Sequence, residues 1–128
     1  ILDIGCGSGC IAITLAANLP NSNIAAIDLS DDALELASQN AIENNLDKIN
    51  FQKCDILKEI PSAGPFDYII SNPPYISESD YKQLEPELRY YEPDISLTDR
   101  SDGLTFYRHF AKIFHNLFTK FVLKYIKK

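Results

Sequence analysis

The residues best suited to do chemistry are Asn72-Pro73-Pro74-Tyr75. Two consecutive prolines fix two φ angles and remove two backbone donors. The residue before a proline is pushed towards an extended conformation. The turn is therefore stiff, and the polar groups it offers near Pro73 are acceptors. A planar NH2 group needs acceptors of this kind. The lone pair of an amide or aromatic amine is delocalised, so its nitrogen is a poor nucleophile. If the side-chain oxygen of Asn72 and the carbonyl of Pro73 each accept one N–H, the lone pair is aimed at an electrophilic carbon. Positive charge growing on nitrogen then meets acceptors already in place. Tyr75 can lie flat against the planar group and exclude water. No strong general base is required, because the nitrogen becomes acidic only as it gains the new bond. The competing reading is an ordinary Pro-Pro turn with a capping asparagine.

A second constellation lies at the start of the chain. Gly5-Cys6-Gly7-Ser8-Gly9 falls between an apolar strand and an apolar helix. Such a loop turns tightly, lets a ligand approach the backbone and exposes amide donors at a helix N-terminus. Asp28 follows Gly9 by 19 residues, at the end of the next strand, where a carboxylate can accept hydrogen bonds from both ribose hydroxyls of an adenosine. In the dinucleotide fingerprint the third glycine would fall at Cys10, so the spacing fits a nucleoside without a pyrophosphate. A purely structural turn is the alternative. Asp3 is a charge inside an apolar strand, costly to bury unless paired. It either meets a cationic ligand end, directly or through water, or caps loop amides. Asp55 either contacts an adenine amino group or is solvated. Ile56 either covers the ring or packs in the core.

These residues need elements to position them. Ile1–Ile4 reads as a short buried strand, and Cys10–Leu19 as a helix stopped by Pro20-Asn21. Ile24–Asp28 is a second strand. Ser30 caps a helix with Asp31 and Asp32 in its first turn and Leu34, Ala37, Ala41 and Ile42 on its apolar face. Ile49–Cys54 is a third strand and Phe66–Ser71 a fourth, running into Asn72. A short helix is expected near Glu78–Leu88, then a loop through Tyr91-Glu92-Pro93 to Gly103. Leu104, Tyr107, Ala111, Phe114, Phe118 and Phe121, at alternating steps of three and four, predict a last amphipathic helix. The pattern is α/β with a mostly parallel sheet and helices on its faces. The candidate residues follow strand ends, where open α/β sheets place their ligands.

The composition, 45% hydrophobic and 23% charged over 128 residues, excludes a disordered chain. No apolar run approaches the roughly 20 residues of a membrane span, and no basic, apolar leader is visible. Three cysteines at 6, 10 and 54 suggest a reducing compartment rather than staples. Cys6 and Cys10 lack a second ligand pair and read as small packing residues, with no metal expected. All 18 acids and 7 of the 12 Lys/Arg lie in residues 1–111, a net charge of −11 that argues against a phosphate-backbone footprint. Residues 112–128 hold five lysines and no acid, read as a solvated face or end. His109 and His115, six apart, do not share a helix face and read as surface residues.

Ile1–Gly9 resembles the first motif of class I S-adenosylmethionine-dependent methyltransferases, and Asn72–Tyr75 is similar to the motif of their amino-methylating branch. Ser71–Ile76, then Tyr91-Glu92-Pro93, then Asp102-Gly103-Leu104 with Tyr107-Arg108, resembles the peptide chain release factor glutamine N(5)-methyltransferases over residues 1 to about 115. The resemblance implies a Rossmann-like class I methyltransferase fold and S-adenosylmethionine as cofactor. It implies that Gly5, Cys6, Gly7, Ser8, Gly9, Asp28, Asp55, Ile56 and Asn72 contact that cofactor. Asn72, Pro73, Pro74 and Tyr75 would hold a glutamine of the Gly-Gly-Gln loop of a class 1 release factor. A cytoplasmic enzyme with a protein substrate, no membrane and no stable nucleic acid partner follows. The family often carries an aromatic residue where Ile56 stands. It also has a helical N-terminal domain and further strands after the last helix. Residues 1–128 are accordingly expected to be a partial catalytic domain, with the fourth strand at a bare sheet edge. A ribosomal-protein glutamine methyltransferase, a nucleic-acid adenine methyltransferase and an inactive truncated remnant are the competing readings.

Overall fold

The apolar runs at the start of the chain form the centre of a parallel sheet. The computed structural model describes residues 1–85, 87 and 93–118. Its strands are β1 (Leu2–Ile4), β2 (Ile24–Asp28), β3 (Ile49–Lys53) and β4 (Ile69–Ser71). Its helices are α1 (Cys10–Asn18), α2 (Asp31–Glu43), α3 (Glu78–Tyr81), α4 (Asp94–Leu97) and α5 (Thr105–Leu117). None is long and apolar enough to cross a membrane. The described residues divide into two units, one of residues 1–71 and 115–118 and the other within residues 72–114.

In the first unit the strand order is β3-β2-β1-β4 and every pair is parallel. Leu2, Asp3 and Ile4 of β1 stand in register with Ala25, Ala26 and Ile27 on one side and Ile69, Ile70 and Ser71 on the other. Central parallel strands are covered on both faces and so read as unbroken apolar runs. Leu2 and Ile27 are fully buried, which stabilises the fold by about 1.5–3 kcal/mol each. Cys6, Ala12, Ile24 and Ala26 form a buried cluster with Leu15, Leu34 and Phe51 packed on it.

Helix α2 begins as its sequence requires, with the Ser30 Oγ accepting the Ala33 N–H at 3.2 Å. It ends in a Schellman arrangement around Asn45, whose φ is 56°. The Asn45 N–H donates to the Ile42 carbonyl and the Leu46 N–H to the Ala41 carbonyl, both at 2.9 Å. Ile42, expected on the apolar face, is 71% exposed. The helix rests instead on the small residues Ala37 and Ala41, and Ile42 lies one step of about 100° further round. Strand β4 is shorter than expected. Phe66 pairs with Phe118 rather than extending the sheet, and its N–H donates to the Leu117 carbonyl at 2.7 Å.

In the second unit, within residues 78–85 of the expected helix, α3 alone is helical, capped by the Ser77 Oγ accepting the Asp80 N–H at 3.1 Å. Residues 86 and 88–92, which include part of Tyr91-Glu92-Pro93, lie outside the described residues. The expected loop to Gly103 contains α4. Helix α5 is present, but its buried stripe is not Leu104, Tyr107 and Ala111. Leu104 and Tyr107 are about half exposed, whereas Phe110 and Leu117 are buried. Phe106, Phe110 and Phe114 line up with ring centroids 6.2 and 5.1 Å apart. Both stripes have helical spacing, and the aromatic one is the more covered: Phe110 is buried, and Phe106 and Phe114, the latter expected in the other stripe, are half-buried. Phe121 and the lysine-rich end lie outside the described residues.

Candidate active site

The first group of candidate residues lies at the carboxyl ends of β1 and β2. The Ile27 carbonyl accepts both the Gly5 N–H at 2.8 Å and the Cys6 N–H at 3.0 Å, so the loop after β1 folds over the end of β2. Asp28 holds this loop. Its Oδ2 accepts the Gly7 N–H at 2.9 Å and its Oδ1 accepts the Ser30 N–H at 3.0 Å. Each carboxylate oxygen has a second lone pair, so the half-buried side chain keeps acceptor capacity for a ligand.

Gly9 caps α1 with φ 79°, and a Cβ there would lie 2.9 Å from the Ala37 Cβ. Gly9 thus supplies the close helix approach that the dinucleotide fingerprint assigns to a glycine one residue later. The Ser8 carbonyl accepts the Asn40 Nδ2–H at 2.9 Å. At Gly5 and Gly7 nothing stands within 4 Å of a Cβ position. The loop therefore has open space against bare backbone, which is what a nucleoside cradle requires.

Asp3 is 1% exposed. Its Oδ2 accepts the Ala12 N–H at 3.1 Å, capping the first turn of α1. Its Oδ1 is buried and has no hydrogen-bond partner among the described residues. Burial pushes the carboxyl up to about 6, opposed by the Ala12 N–H and reinforced by the charge of Asp28. A buried carboxylate oxygen left without a partner is uncommon in folded proteins, and it favours an incoming donor or cation. Cys6 is pushed up to about 12 by burial, then by Asp28 and Asp3, so it stays a thiol. Cys6, Cys10 and Cys54 are free, and only Cys10 is exposed.

Asp55 opens a turn after β3. Its Oδ1 accepts the Leu57 N–H at 3.2 Å and its Oδ2 pairs with the Lys58 ammonium at 2.7 Å. Ile56 is buried at 6% exposure. The structure thus gives the Asp55 carboxylate local partners and places the Ile56 side chain among the core residues.

The second group, in the other unit, is the turn Asn72–Tyr75. Asn72 is exposed, Pro73 buried, Pro74 half-buried and Tyr75 58% exposed. The chain beyond it is clamped by residues 97–103. The Ile76 N–H donates to the Leu97 carbonyl at 3.0 Å, Ile76 bridges Thr98, and the Glu78 N–H donates to the Ser101 carbonyl at 2.9 Å. A Cβ on Gly103, at φ 79°, would stand 2.4 Å from the Tyr75 carbonyl oxygen. The Asn-Pro-Pro-Tyr and Asp-Gly-Leu motifs, far apart in sequence, therefore meet backbone to backbone. Arg108 grips Asp102 with two hydrogen bonds, of 2.8 and 2.5 Å.

Sequence reasoning missed Asp99. Partial burial pushes its carboxyl up. Hydrogen bonds from the Thr105 hydroxyl and from the backbone N–H groups of Thr105, Ser101 and Gly103 outweigh that and hold it down at about 2. The available signal was an aspartate ahead of Ser-Asp-Gly at a helix start, a pattern that organises turns. A separate cleft of about 760 Å³, lined by Ile1, Asn23, Ala25, Asn50, Phe66 and Tyr68, lies at the amino ends of the strands, opposite the glycine loop.

A protein-family profile described as "Methyltransferase domain" matches residues 1–110. The chain is 42% identical over 113 residues to a release factor glutamine methyltransferase of Fusobacterium nucleatum, covering 88% of this chain and 32% of that protein. It is 46% identical over 114 residues to the protein of the same name from Flavobacterium psychrophilum, covering 88% of this chain and 40% of that one. The chain thus spans 32% and 40% of the length of these two relatives. PKMT2 from Rickettsia typhi, solved in complex with AdoHcy, superposes with a TM-score of 0.58 at 22% identity, over 92% of this chain and 18% of that one. That likeness establishes the fold, a Rossmann-like α/β sheet. With the profile covering most of its length, the chain belongs to the methyltransferase-domain family.

Proposed function

We propose that the chain is part of the catalytic domain of a methyltransferase that uses S-adenosylmethionine. Its acceptor is the side-chain amide nitrogen of a glutamine in a peptide chain release factor. One observation carries the reading. Asn72-Pro73-Pro74-Tyr75 leaves the sheet directly from β4, whose last residue, Ser71, stands in register with Ile4, the residue before the glycine loop. The names of the relatives at 42% and 46% identity supply the substrate, and the AdoHcy-bound neighbour and the family profile support the cofactor.

The residues fit that cofactor. The open space at Gly5 and Gly7 suits a nucleoside, Asp28 retains acceptor capacity for ribose hydroxyls, and the unpartnered Asp3 Oδ1 suits a cationic amino acid end. Cys6, Ser8 and Gly9 complete the loop. When bound, S-adenosylmethionine supplies an electrophilic methyl group on a sulfonium. The side-chain oxygen of Asn72 and the Pro73 carbonyl accept the two amide N–H groups and set the direction of the lone pair. Tyr75 covers the amide plane and excludes water. The surplus proton leaves to water or a backbone carbonyl once the nitrogen is methylated.

Calorimetric titration of S-adenosylmethionine into the chain, beside Asp28→Ala, tests the cofactor. Micromolar-range binding is expected for the wild type and not for the variant. Methyl transfer to a release factor, with its Gly-Gly-Gln glutamine intact or replaced, tests the substrate. Transfer that persists after the replacement, or that goes only to a ribosomal protein, overturns the release-factor assignment.

A further inference from the structure

The geometry points to Asp99 as a positioning residue for the methyl-accepting amide. Its carboxylate shapes the loop that grips the Tyr75 backbone and so sets where the Asn72–Tyr75 turn presents its acceptors. This rests on the reading that the turn holds the reacting amide.

The chain of contacts is short. Asp99 Oδ1 accepts two backbone N–H groups, from Ser101 and Gly103, both at 2.9 Å. Its Oδ2 accepts the Thr105 N–H at 3.0 Å. One side chain thereby fixes residues 101, 103 and 105, the last being the first residue of α5. Two of these residues touch the catalytic turn's exit. Gly103 lies against the Tyr75 carbonyl so closely that no side chain fits, and the Ser101 carbonyl accepts the Glu78 N–H at 2.9 Å. The residue before Asp99 belongs to the same clamp. Thr98 is 4% exposed, bridges Ile76 and accepts the Arg100 N–H on its Oγ1 at 3.0 Å. Arg100 adopts φ 54°, a left-handed conformation in which a non-glycine residue is strained. The loop tolerates that strain because Asp99 satisfies three N–H groups beyond it.

An ionised carboxylate has lone pairs for all of these donors, and an asparagine does not. Its oxygen can keep the two donors on one side, but its NH2 faces the third as a second donor. Asp99→Asn is therefore a graded lesion and Asp99→Ala a complete one.

The test combines amide hydrogen exchange by NMR, cofactor titration and steady-state methyl transfer to a glutamine-containing peptide. In Asp99→Ala, exchange at the Ile76 and Glu78 N–H groups is expected to accelerate at least tenfold while the amides of Ala26 and Ile27 keep their protection. The dissociation constant for S-adenosylmethionine stays within twofold. The kcat falls about tenfold with a smaller change in KM, as a displaced positioning group requires. Asp99→Asn lies between the two. Unchanged exchange at Ile76 and Glu78, or unchanged kcat, in folded Asp99→Ala overturns the proposal. If Ala26 and Ile27 also lose protection, the alanine variant has unfolded and Asp99→Asn decides by the same criteria. A wild type that binds cofactor yet methylates no glutamine sinks the substrate reading instead, and the exchange at Ile76 and Glu78 then decides on Asp99 alone.

Discussion

The Asp28 carboxylate accepts the Gly7 N–H at 2.9 Å, tying the end of β2 to the loop that follows β1. The same side chain also takes the Ser30 N–H. Asp28→Ala therefore removes the proposed ribose contact and two supports of the loop after β1. Two charge-assisted hydrogen bonds at a half-buried site are worth about 2 kcal/mol together. Denaturant unfolding should show a loss of that order, and the affinity for S-adenosylmethionine should fall at least tenfold. Undiminished affinity would reduce Asp28 to a structural role.

Asp3 links stability to function in the opposite direction. Its folded pKa of about 6 lies above the ordinary 3.8, so ionisation opposes folding, and the opposition grows as pH rises from about 4 through 6. A shift of this size amounts to about 2–3 kcal/mol at pH 8. Asp3→Asn keeps an acceptor for the Ala12 N–H without the charge. It should be more stable than wild type at pH 8 and no more stable below pH 4. A cationic ligand prefers the ionised carboxylate. Wild-type affinity should therefore fall as pH drops through about 6, and Asp3→Asn should bind weakly at every pH. Parallel titrations at pH 5 and pH 8 decide this.

Gly9→Ala should be among the more damaging single-methyl additions in the chain. The residue sits at φ 79° and the new Cβ meets the Ala37 Cβ at 2.9 Å. The left-handed conformation costs about 1–2 kcal/mol, and overpacking a well-filled contact about 1–3 kcal/mol more. Removing the opposing methyl with Ala37→Gly relieves the second cost and not the first. A double-mutant cycle should accordingly give a favourable coupling of about 1 kcal/mol or more. Strict additivity would mean that the helices do not meet there as described.

The second unit should weaken in acid. Asp99 is held down at about 2 by its hydrogen bonds, so its contribution is complete above the unfolded value near 3.8 and disappears as pH falls through about 2. Exchange protection of the Ile76 and Gly103 amides should decline between pH 4 and pH 2. In Asp99→Asn that decline should be flatter, starting from lower protection.

Local chemistry was legible in the sequence and tertiary choice was not. The glycine loop, the Ser30 cap and the acid ending β2 are decided within a few residues, and each is found where its sequence puts it. The stripe of α5 is not local. Leu104, Tyr107 and Ala111 step by three and then four, Phe106, Phe110 and Ile113 by four and then three; both spacings are helical, and only packing beyond the helix selects one of them. Phe66 reads as strand, but Leu117 and Phe118 capture its pairing groups. Asp99 carries no periodic signal, because an aspartate serving backbone N–H groups in a loop resembles any other surface acid. The Asn-Pro-Pro-Tyr turn was legible as chemistry, yet the segment that clamps it lies more than twenty residues further along the chain.

The clamp grips the Tyr75 carbonyl and leaves the ring largely in solvent. Backbone placement and side-chain identity are thus uncoupled at Tyr75. Exchanging the ring alters which surface meets an incoming chain without loosening the turn, whereas Gly103 admits no replacement. A lineage could retune its substrate preference at position 75 by single codon changes, and the turn that presents the acceptors would be inherited intact.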